Sequence, residues 1–293
     1  MDALDYSKPT DNSDCHQVIV ISDTHCGCRL GLYPEEPVIV DDGGPYLQGP
    51  TQRFIWKHWR TFWDEWVPLV TKGEPFVVVH NGDAIDGVPH RATTPVSTNM
   101  HDQTRIGVAC LTPVIEACGG RYYHIRGTEA HVGKSSVEEE RLAERLGAIK
   151  NKAGQHSRYE LWKRVGPCLI HFAHHVGTTS STHHEASAVN AELTKMYVEA
   201  ARWGEEPPDM VVRSHRHSHI EVRIPIHRPG RGSAPGRHRA SCIVTPAWQG
   251  KTPFAWRVAR GKPPQFGGVL IRWNGEVLYS ESYCETFSAT EIE

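Results

Sequence analysis

The sequence lacks the features of a membrane-bound or secreted chain. Its 293 residues contain no apolar run close to the roughly 20 residues that a membrane-spanning helix needs. Residues 1–14 are acidic and polar, whereas a secretion signal has an apolar centre. We therefore expect a cytoplasmic protein that does not bind a membrane.

The eight cysteines follow neither a disulfide framework nor a zinc-finger spacing. Cys26 and Cys28 are separated by one residue, which is too close for an ordinary disulfide, and no second pair stands at matching spacing. Thiols of a chain without a secretion signal stay reduced by default. We expect free thiols, most of them buried.

Histidine is abundant, and positive charge is concentrated in one region. The chain has 19 His, the side chain most often used as a metal ligand and proton shuttle. The net charge is only -2, yet residues 213–272 hold twelve Lys or Arg and a single acid, Glu221. Within them, residues 228–239 form a basic Gly/Pro loop. This basic region is either ordinary solvated surface or a surface that contacts nucleic-acid phosphates.

Alternating apolar runs and amphipathic segments predict an α/β fold in one domain, residues 16–293. Buried strands are predicted at residues 18–22, 75–80, 121–125, 168–173 and 210–213. Helices are predicted at residues 52–67, 104–118, 137–146 and 185–203. Further strands are predicted at 220–226, 240–244 and 269–283, the last with a hairpin turn at Asn274-Gly275. Residues 1–15 read as a flexible arm and residues 29–50 as an irregular insertion.

A polar cluster follows each of the five buried strands. The clusters contain Asp23-Thr24-His25, Gly82-Asp83-Ala84-Ile85-Asp86, Gly127-Thr128-Glu129-Ala130-His131, His174-His175 and Ser214-His215-Arg216-His217. Ligands of open α/β sheets bind beyond the carboxyl ends of the strands, so we expect the clusters to converge. Side chains two positions apart on a strand share a face. Asp23 with His25, and His215 with His217, are therefore predicted to form pairs of ligands.

The residue types in these clusters favour transition metals. Carboxylates with imidazoles suit Mn, Fe, Zn, Co or Ni better than Mg or Ca. At least six such groups exceed the four that one zinc-like ion takes, so two ions that share a carboxylate fit the set. Two-metal centres, with ions about 3.5–4 Å apart, typically hydrolyse phosphate esters. We expect two divalent ions, with Mn the first candidate.

Together the motifs resemble those of the calcineurin-like metallophosphoesterases. The family pattern is Asp-x-His, Gly-Asp-x-x-Asp, a Gly-Asn-His-Glu-like turn, a strand followed by His, and Gly-His-x-His, and it matches here in order and spacing over residues 18–250. The Trp-rich helix, Gly127-Thr128-Glu129-Ala130-His131 and Ser214-His215-Arg216-His217 look most similar to uncharacterised phage and prophage members of the family. The resemblance implies a four-layer α-β-β-α sandwich with two mixed β-sheets, in which the late β segments complete the second sheet.

The resemblance also implies roles for individual residues. Asp23, His25 and His217 would hold the first metal ion, Asp83 would bridge both ions, and His174 and His215 would hold the second. Asp86 is expected to support the site by hydrogen bonding rather than to bind metal.

The third motif departs from the family pattern. Thr128 stands in place of the family's Asn ligand, and Glu129 stands in place of the His that protonates the leaving group. Either Thr128 lies near the metal and His131 is the acid, or Glu129 supplies the missing ligand.

The function implied is metal-dependent phosphoester hydrolysis, by in-line attack of a metal-bridging hydroxide with His131 as proton donor. The basic region favours a phosphodiester substrate in nucleic acid or a nucleotide. Two alternatives remain: a phosphomonoesterase such as a protein phosphatase, or a catalytically weak metal-site scaffold that binds a partner. The sequence does not indicate an oligomeric state.

Overall fold

The computed structural model of the chain describes residues 15–89, 92–133, 135–177, 184–227, 239–258 and 262–286. The predicted arm, residues 1–15, lies outside the described residues except for Cys15. The predicted basic loop, residues 228–239, lies outside them except for Arg239. All eight cysteines are described, and all are free thiols, as predicted.

Six strands form the first sheet. In spatial order they are β13 (Leu278–Thr286), β12 (Gln265–Trp273), β1 (Gln17–Ile21), β4 (Val77–Asn81), β5 (Tyr122–Ile125) and β6 (Ser157–Arg158). The strands β1, β4, β5 and β6 run parallel, whereas β12 is antiparallel to both of its neighbours. The sheet is therefore mixed.

Five strands form the second sheet, which is also mixed. In spatial order they are β10 (Ile220–Pro225), β11 (Arg239–Val244), β9 (Met210–Arg213), β8 (Cys168–Ala173) and β7 (Glu160–Val165). The three central strands are parallel and the two edge strands are antiparallel. Two short strands, β2 (Val38–Ile39) and β3 (Pro45–Tyr46), pair with each other inside the insertion at residues 29–50.

Seven α-helices are present among the described residues. They are α1 (Pro50–Thr61), α2 (Val67–Thr71), α3 (Met100–Ala117), α4 (Glu129–Val132), α5 (Val137–Arg145), α6 (Glu185–Trp203) and α7 (Pro253–Val258). A π-helical turn, Phe62–Trp66, joins α1 to α2, so the single helix predicted at 52–67 is interrupted. In the described part of the chain, every helix is too short or too polar to cross a membrane.

The alternation of side chains along the strands produces four layers. In β1, Val18 and Val20 face the second sheet and share a core with Phe172 of β8, whereas Ile19 and Ile21 face the opposite way. That opposite core also contains Ile55 and Trp59 of α1 and Ile106 and Leu111 of α3. On the far side of the second sheet, α6 contributes Val189 and Leu193 to a third core. The predicted α-β-β-α sandwich of two mixed sheets is confirmed.

One expectation about the late strands is wrong. β10 and β11 belong to the second sheet as expected, but β12 pairs with β1 in the first sheet, with Ile271 opposite Val18. The reason is that β12 is apolar on both faces. Ile271 contacts the core between the sheets, and Leu270 contacts the core beneath α1. A strand buried on both faces suits an interior position beside β1.

Glu140 attaches α5 to the chain that enters β6. Its carboxylate accepts hydrogen bonds from the backbone N–H groups of His156 and Ser157 at 2.7 and 2.9 Å and from the Ser157 hydroxyl at 2.5 Å. Burial alone would raise the pKa of Glu140, but these hydrogen bonds outweigh it and lower the pKa to about 2. The ionised carboxylate therefore stabilises the fold above its ordinary pKa of 4.5, and this stabilisation is lost as the pH falls through the folded-state value.

We expect Glu140→Gln to lower the free energy of unfolding at pH 7 by about 1 kcal/mol, because hydrogen bonds to a charged acceptor are weakened. The difference from the wild type should shrink as the pH falls from 4.5 towards 2. Urea unfolding at several pH values measures it, with Glu144→Gln on the exposed face of α5 as the control. A difference that is independent of pH would contradict the role of the charge.

Candidate metal centre

The predicted ligands come from both sheets and meet at one edge of the sandwich. β1, β4 and β5 of the first sheet and β8 and β9 of the second all end there. Backbone hydrogen bonds connect the segments that follow. The Asp23 N–H donates to the Gly82 carbonyl, and the Ser214 N–H donates to the His174 carbonyl, both at 2.9 Å. The clusters converge as expected, and both sheets contribute to them.

Asp23, His25 and His217 form the first group of potential ligands. One donor atom from each lies within 4.8 Å of the others. The Nε2 atom of His217 is 3.2 Å from His25 Nε2 and 3.3 Å from Asp23 Oδ1. Asp23 and His25 are buried, whereas the side chain of His217 is 26% exposed. The group is therefore open to solvent on the His217 side.

Asp83, His174 and His215 form the second group, again with donor atoms within 4.8 Å of one another. The Oδ2 atom of Asp83 lies 3.0 Å from His174 Nε2 and 3.9 Å from His215 Nδ1. His174 Nε2 is also 4.0 Å from Asp23 Oδ1, so the two groups adjoin. The structure thus brings together all six residues to which the resemblance gives a metal.

The backbone reaches this arrangement by left-handed turns rather than by strand alternation. β1 ends at Ile21 and β9 at Arg213, so the ligand pairs predicted on strands lie beyond the strands. Seven non-glycine residues of the described chain have positive φ, and five of them are predicted ligands: Asp23, His25, Asp83, His215 and His217. Each costs about 1–3 kcal/mol, a strain that persists where the surrounding structure enforces it and that is common at functional sites.

Of the two residues at which the third motif departs from the family pattern, Thr128 contacts a predicted ligand and Glu129 does not join a ligand group of the described residues. The backbone N–H and the hydroxyl of Thr128 donate to Asp83 Oδ1 at 2.7 and 3.2 Å, so Thr128 orients a predicted ligand. Glu129 is exposed at the start of α4 and joins none of the ligand groups formed by the described residues.

His131, two residues after Glu129, lies at the centre. Its Nδ1 atom is 2.6 Å from the carbonyl oxygen of Asp86, and since a carbonyl only accepts, Nδ1 carries the proton. His131 also forms a third group of potential ligands with His25 and Asp83. The position is compatible with a proton donor or with a further ligand.

Asp86 lies where a supporting carboxylate is expected. Its Oδ1 atom is 3.3 Å from Nδ1 of His25 and accepts a hydrogen bond from the side-chain amide of Gln249 at 3.2 Å. A carboxylate behind a ligating imidazole fixes the orientation of the ring. Gln249, which sequence reasoning missed, follows the last motif residue, His217, by 32 residues and carries no local signal.

Glu139 is a second residue that sequence reasoning missed. This buried carboxylate of α5 accepts the Ala84 N–H at 2.9 Å through Oε1 and the Gly127 N–H at 2.6 Å through Oε2. It therefore connects the loops that carry Asp83 and Thr128. Its burial could have been predicted from helical spacing, because Glu139 lies three and four residues before Leu142 and Ala143 and so shares their buried face.

The electrostatics of the centre call for positive charge. Burial would raise the pKa of Asp83, but the neighbouring imidazoles, His174 first, lower it well below its ordinary value. Burial would likewise lower the pKa of His174, but Asp83 and Asp23 raise it to about 10. Within the described chain, Asp23 Oδ1 is buried without a hydrogen-bond partner, and His174 Nε2 lies 3.0 Å from Asp83 Oδ2. Carboxylates, imidazoles and an unpaired carboxylate oxygen together fit divalent metal binding.

Comparisons with known proteins give matches among solved structures alone. No protein-family model matches the sequence, and no curated protein matches it. A metallophosphoesterase from Sphaerobacter thermophilus matches at 10% identity with a TM-score of 0.39, over 94% of this chain and 91% of that chain. Vacuolar protein sorting 29 from Cryptosporidium parvum matches at 12% identity with a TM-score of 0.33, over 93% and 98% of the two chains. At these values, functional assignment depends on the site itself.

Gly82 leaves the space that His174 occupies. Its φ is +95°, and a Cβ atom there would lie 2.4 Å from Nδ1 of His174. That nitrogen donates to the carbonyl of Asn81 at 2.7 Å, so the ring has little freedom to move.

We expect Gly82→Ala to displace His174 and to weaken Mn²⁺ binding about 10- to 100-fold, as measured by isothermal titration calorimetry. Gly154→Ala is the matched control, because Gly154 has φ +83° and no atom near its Cβ position. If the two variants lose the same affinity, backbone strain rather than contact with His174 explains the effect.

Proposed function

We propose that the protein is a calcineurin-like metallophosphoesterase with two metal ions, which hydrolyses phosphodiester bonds. The observation that carries the proposal is the division of six carboxylate and imidazole ligands into two adjoining groups. Asp83 groups with His174 and His215, and in a further combination with His25 and His131, which supports a bridging role. Two-metal sites of this composition typically catalyse displacement at phosphorus.

The ligand groups indicate where the ions would bind. Asp23, His25 and His217 would hold the first, and Asp83, His174 and His215 the second, with Mn²⁺ the first ion to test and Fe, Zn, Co or Ni the alternatives. When bound, divalent ions neutralise phosphoryl charge and lower the pKa of water.

His131 is the best-placed proton donor for the departing oxygen. Because Nδ1 keeps its proton on the Asp86 carbonyl, the ring would donate from Nε2 as the imidazolium and return to the neutral Nδ1–H form after the transfer. The side chain is 18% exposed, which leaves it accessible from solvent. Glu129 is exposed and belongs to none of the ligand groups of the described residues, so we propose neither a ligand role nor a catalytic role for it.

A diester is favoured over a monoester by the charge that surrounds the site. Arg216 lies between two predicted ligands, and Lys251 follows Gln249 by two residues. These positive side chains match a polyanionic substrate in which the scissile phosphate has charged neighbours.

The proposal is tested by hydrolysis of bis-p-nitrophenyl phosphate and p-nitrophenyl phosphate with added Mn²⁺. We expect the diester to be cleaved faster, and Asp83→Asn to reduce both activities to background because the shared ligand loses its charge. Asp64→Asn, which removes an exposed partner of Arg60, is the control. Full Mn²⁺-dependent turnover by Asp83→Asn would contradict the proposal. Faster monoester cleavage would favour a phosphomonoesterase, and metal binding without turnover would favour a binding scaffold.

We expect His131→Gln to slow cleavage of a dinucleotide by about 10²- to 10⁴-fold while cleavage of the nitrophenyl diester changes little. A nucleoside alkoxide needs a proton to depart, whereas p-nitrophenolate does not. Steady-state rates on both substrates measure the difference, with metal content per chain measured alongside. An equal loss on both substrates, or loss of metal, would show that His131 is not the proton donor.

A further inference from the structure

Residues 248–251 lead directly from the metal centre to the surface. The Trp248 N–H donates to the Asp23 carbonyl at 3.0 Å, and the Gln249 amide donates to Asp86. Lys251 and α7 follow at once, with Lys251 half-buried. The chain therefore reaches Lys251 and α7 within a few residues of its contacts with Asp23 and Asp86.

The opposite side of the centre is joined to this segment by a chain of contacts. The Arg216 guanidinium donates to the carbonyl oxygens of Glu185, at 3.3 Å, and of Gly177. The Glu185 carboxylate pairs with Nζ of Lys262 at 2.5 and 2.7 Å. The Lys251 ammonium donates to the carbonyl of Lys262 at 3.0 Å, which closes the ring. Arg216, Lys251 and Lys262 are thus linked through Glu185 and the backbone of Lys262, and we call them, with Trp256, the basic rim.

The basic rim has an excess of positive charge. Arg216, Lys251 and Lys262 are cations, and Glu185 is the acid that contacts them in the described part of the chain. Arg216 hydrogen-bonds backbone carbonyls rather than a carboxylate, so its charge is not neutralised by its contacts. Groups of this kind attract the phosphates of a nucleic-acid strand.

Trp256 adds an exposed aromatic surface to these cations. Its side chain is 59% exposed, whereas Trp59 and Trp248 are buried in the core. The Lys251 ammonium lies 4.2 Å from the centroid of the Trp256 ring, in a cation–π arrangement. An exposed ring beside a cation is the combination on which single-stranded nucleic acids stack their bases.

Trp203 is also exposed, but its surroundings differ from those of Trp256. It is 75% exposed at the end of α6, but its indole N–H donates to the carboxylate of Glu199. Glu199 also pairs with Arg202 at 2.8 Å, so the cation near Trp203 is neutralised by a carboxylate, whereas Lys251 beside Trp256 contacts a backbone carbonyl.

We propose that the basic rim binds single-stranded nucleic acid, with one base stacked on Trp256 and the adjoining phosphates near Lys251 and Arg216. This rests on the proposed phosphodiesterase function and names the substrate class. A base that is paired and stacked within a duplex cannot lie on a protein side chain, so the rim selects single strands.

The test is fluorescence anisotropy of a labelled phosphorothioate oligo-dT with the full-length, Mn²⁺-loaded protein, with a duplex of equal length for comparison. The phosphorothioate linkage resists hydrolysis, so binding is measured without turnover. We expect tighter binding of the single strand, and Trp256→Ala should weaken it about 5- to 100-fold. Trp203→Ala, the matched control, should leave the affinity unchanged.

Lys251→Gln provides a second, independent readout. Removal of one phosphate contact should make the negative slope of log affinity against log salt concentration less steep by about 0.7. Trp256→Ala should reduce the affinity at every salt concentration and leave that slope nearly unchanged.

Equal binding of single strand and duplex, or unchanged affinity of Trp256→Ala, would overturn the proposal. Cleavage of bis-p-nitrophenyl phosphate without oligonucleotide binding would refute nucleic-acid binding by the basic rim and leave the proposed phosphodiesterase function intact. Single-strand binding that depends on Trp256, without Mn²⁺-dependent cleavage of bis-p-nitrophenyl phosphate or of an unmodified oligonucleotide, would support binding by the basic rim and refute the proposed phosphodiesterase function.

Discussion

Two buried carboxylates, Asp23 and Asp83, set the condition that the rest of the site meets. A buried carboxylate without a compensating charge costs several kcal/mol. Imidazoles crowd around both, and the pKa of His174 rises to about 10 because the carboxylates hold a proton there. A bound divalent cation supplies the same charge in a form that also acts on a phosphate ester. Charge balance therefore links the stability of the site to its proposed chemistry.

The fold holds these groups by connecting loops of both sheets. Glu139 accepts hydrogen bonds from the N–H group that follows Asp83 and from the N–H group that precedes Thr128. Gly82 allows the close approach of His174, and Gly127 allows that of Asp83. Left-handed residues then turn the ligands inward. Strain in the loops is tolerated because the strands that precede them are buried on both faces, which fixes where each loop begins.

The sequence alone predicted several of the strands and the residues of the metal centre. β-Branched runs located β1, β4 and β9, and the order of the motifs identified the six residues that the structure groups. β7 was missed because its inward positions include Lys163, a fully buried lysine that breaks the apolar alternation. The loop geometry was misjudged because Asp and His, although they adopt positive φ more often than most residues, also occur in strands, so their presence alone does not mark a left-handed turn. The sheet that β12 joins depends on pairing between distant segments, which local patterns do not specify.

The central claim is that two ions bind close enough to share Asp83. Electron paramagnetic resonance of the protein titrated with Mn²⁺ tests it most directly, because ions about 3.5–4 Å apart couple magnetically. The account predicts an exchange-coupled spectrum that reaches its maximum at two Mn²⁺ per chain and is lost in Asp83→Asn. A spectrum of isolated Mn²⁺ at saturation, or saturation at one ion per chain, would contradict it.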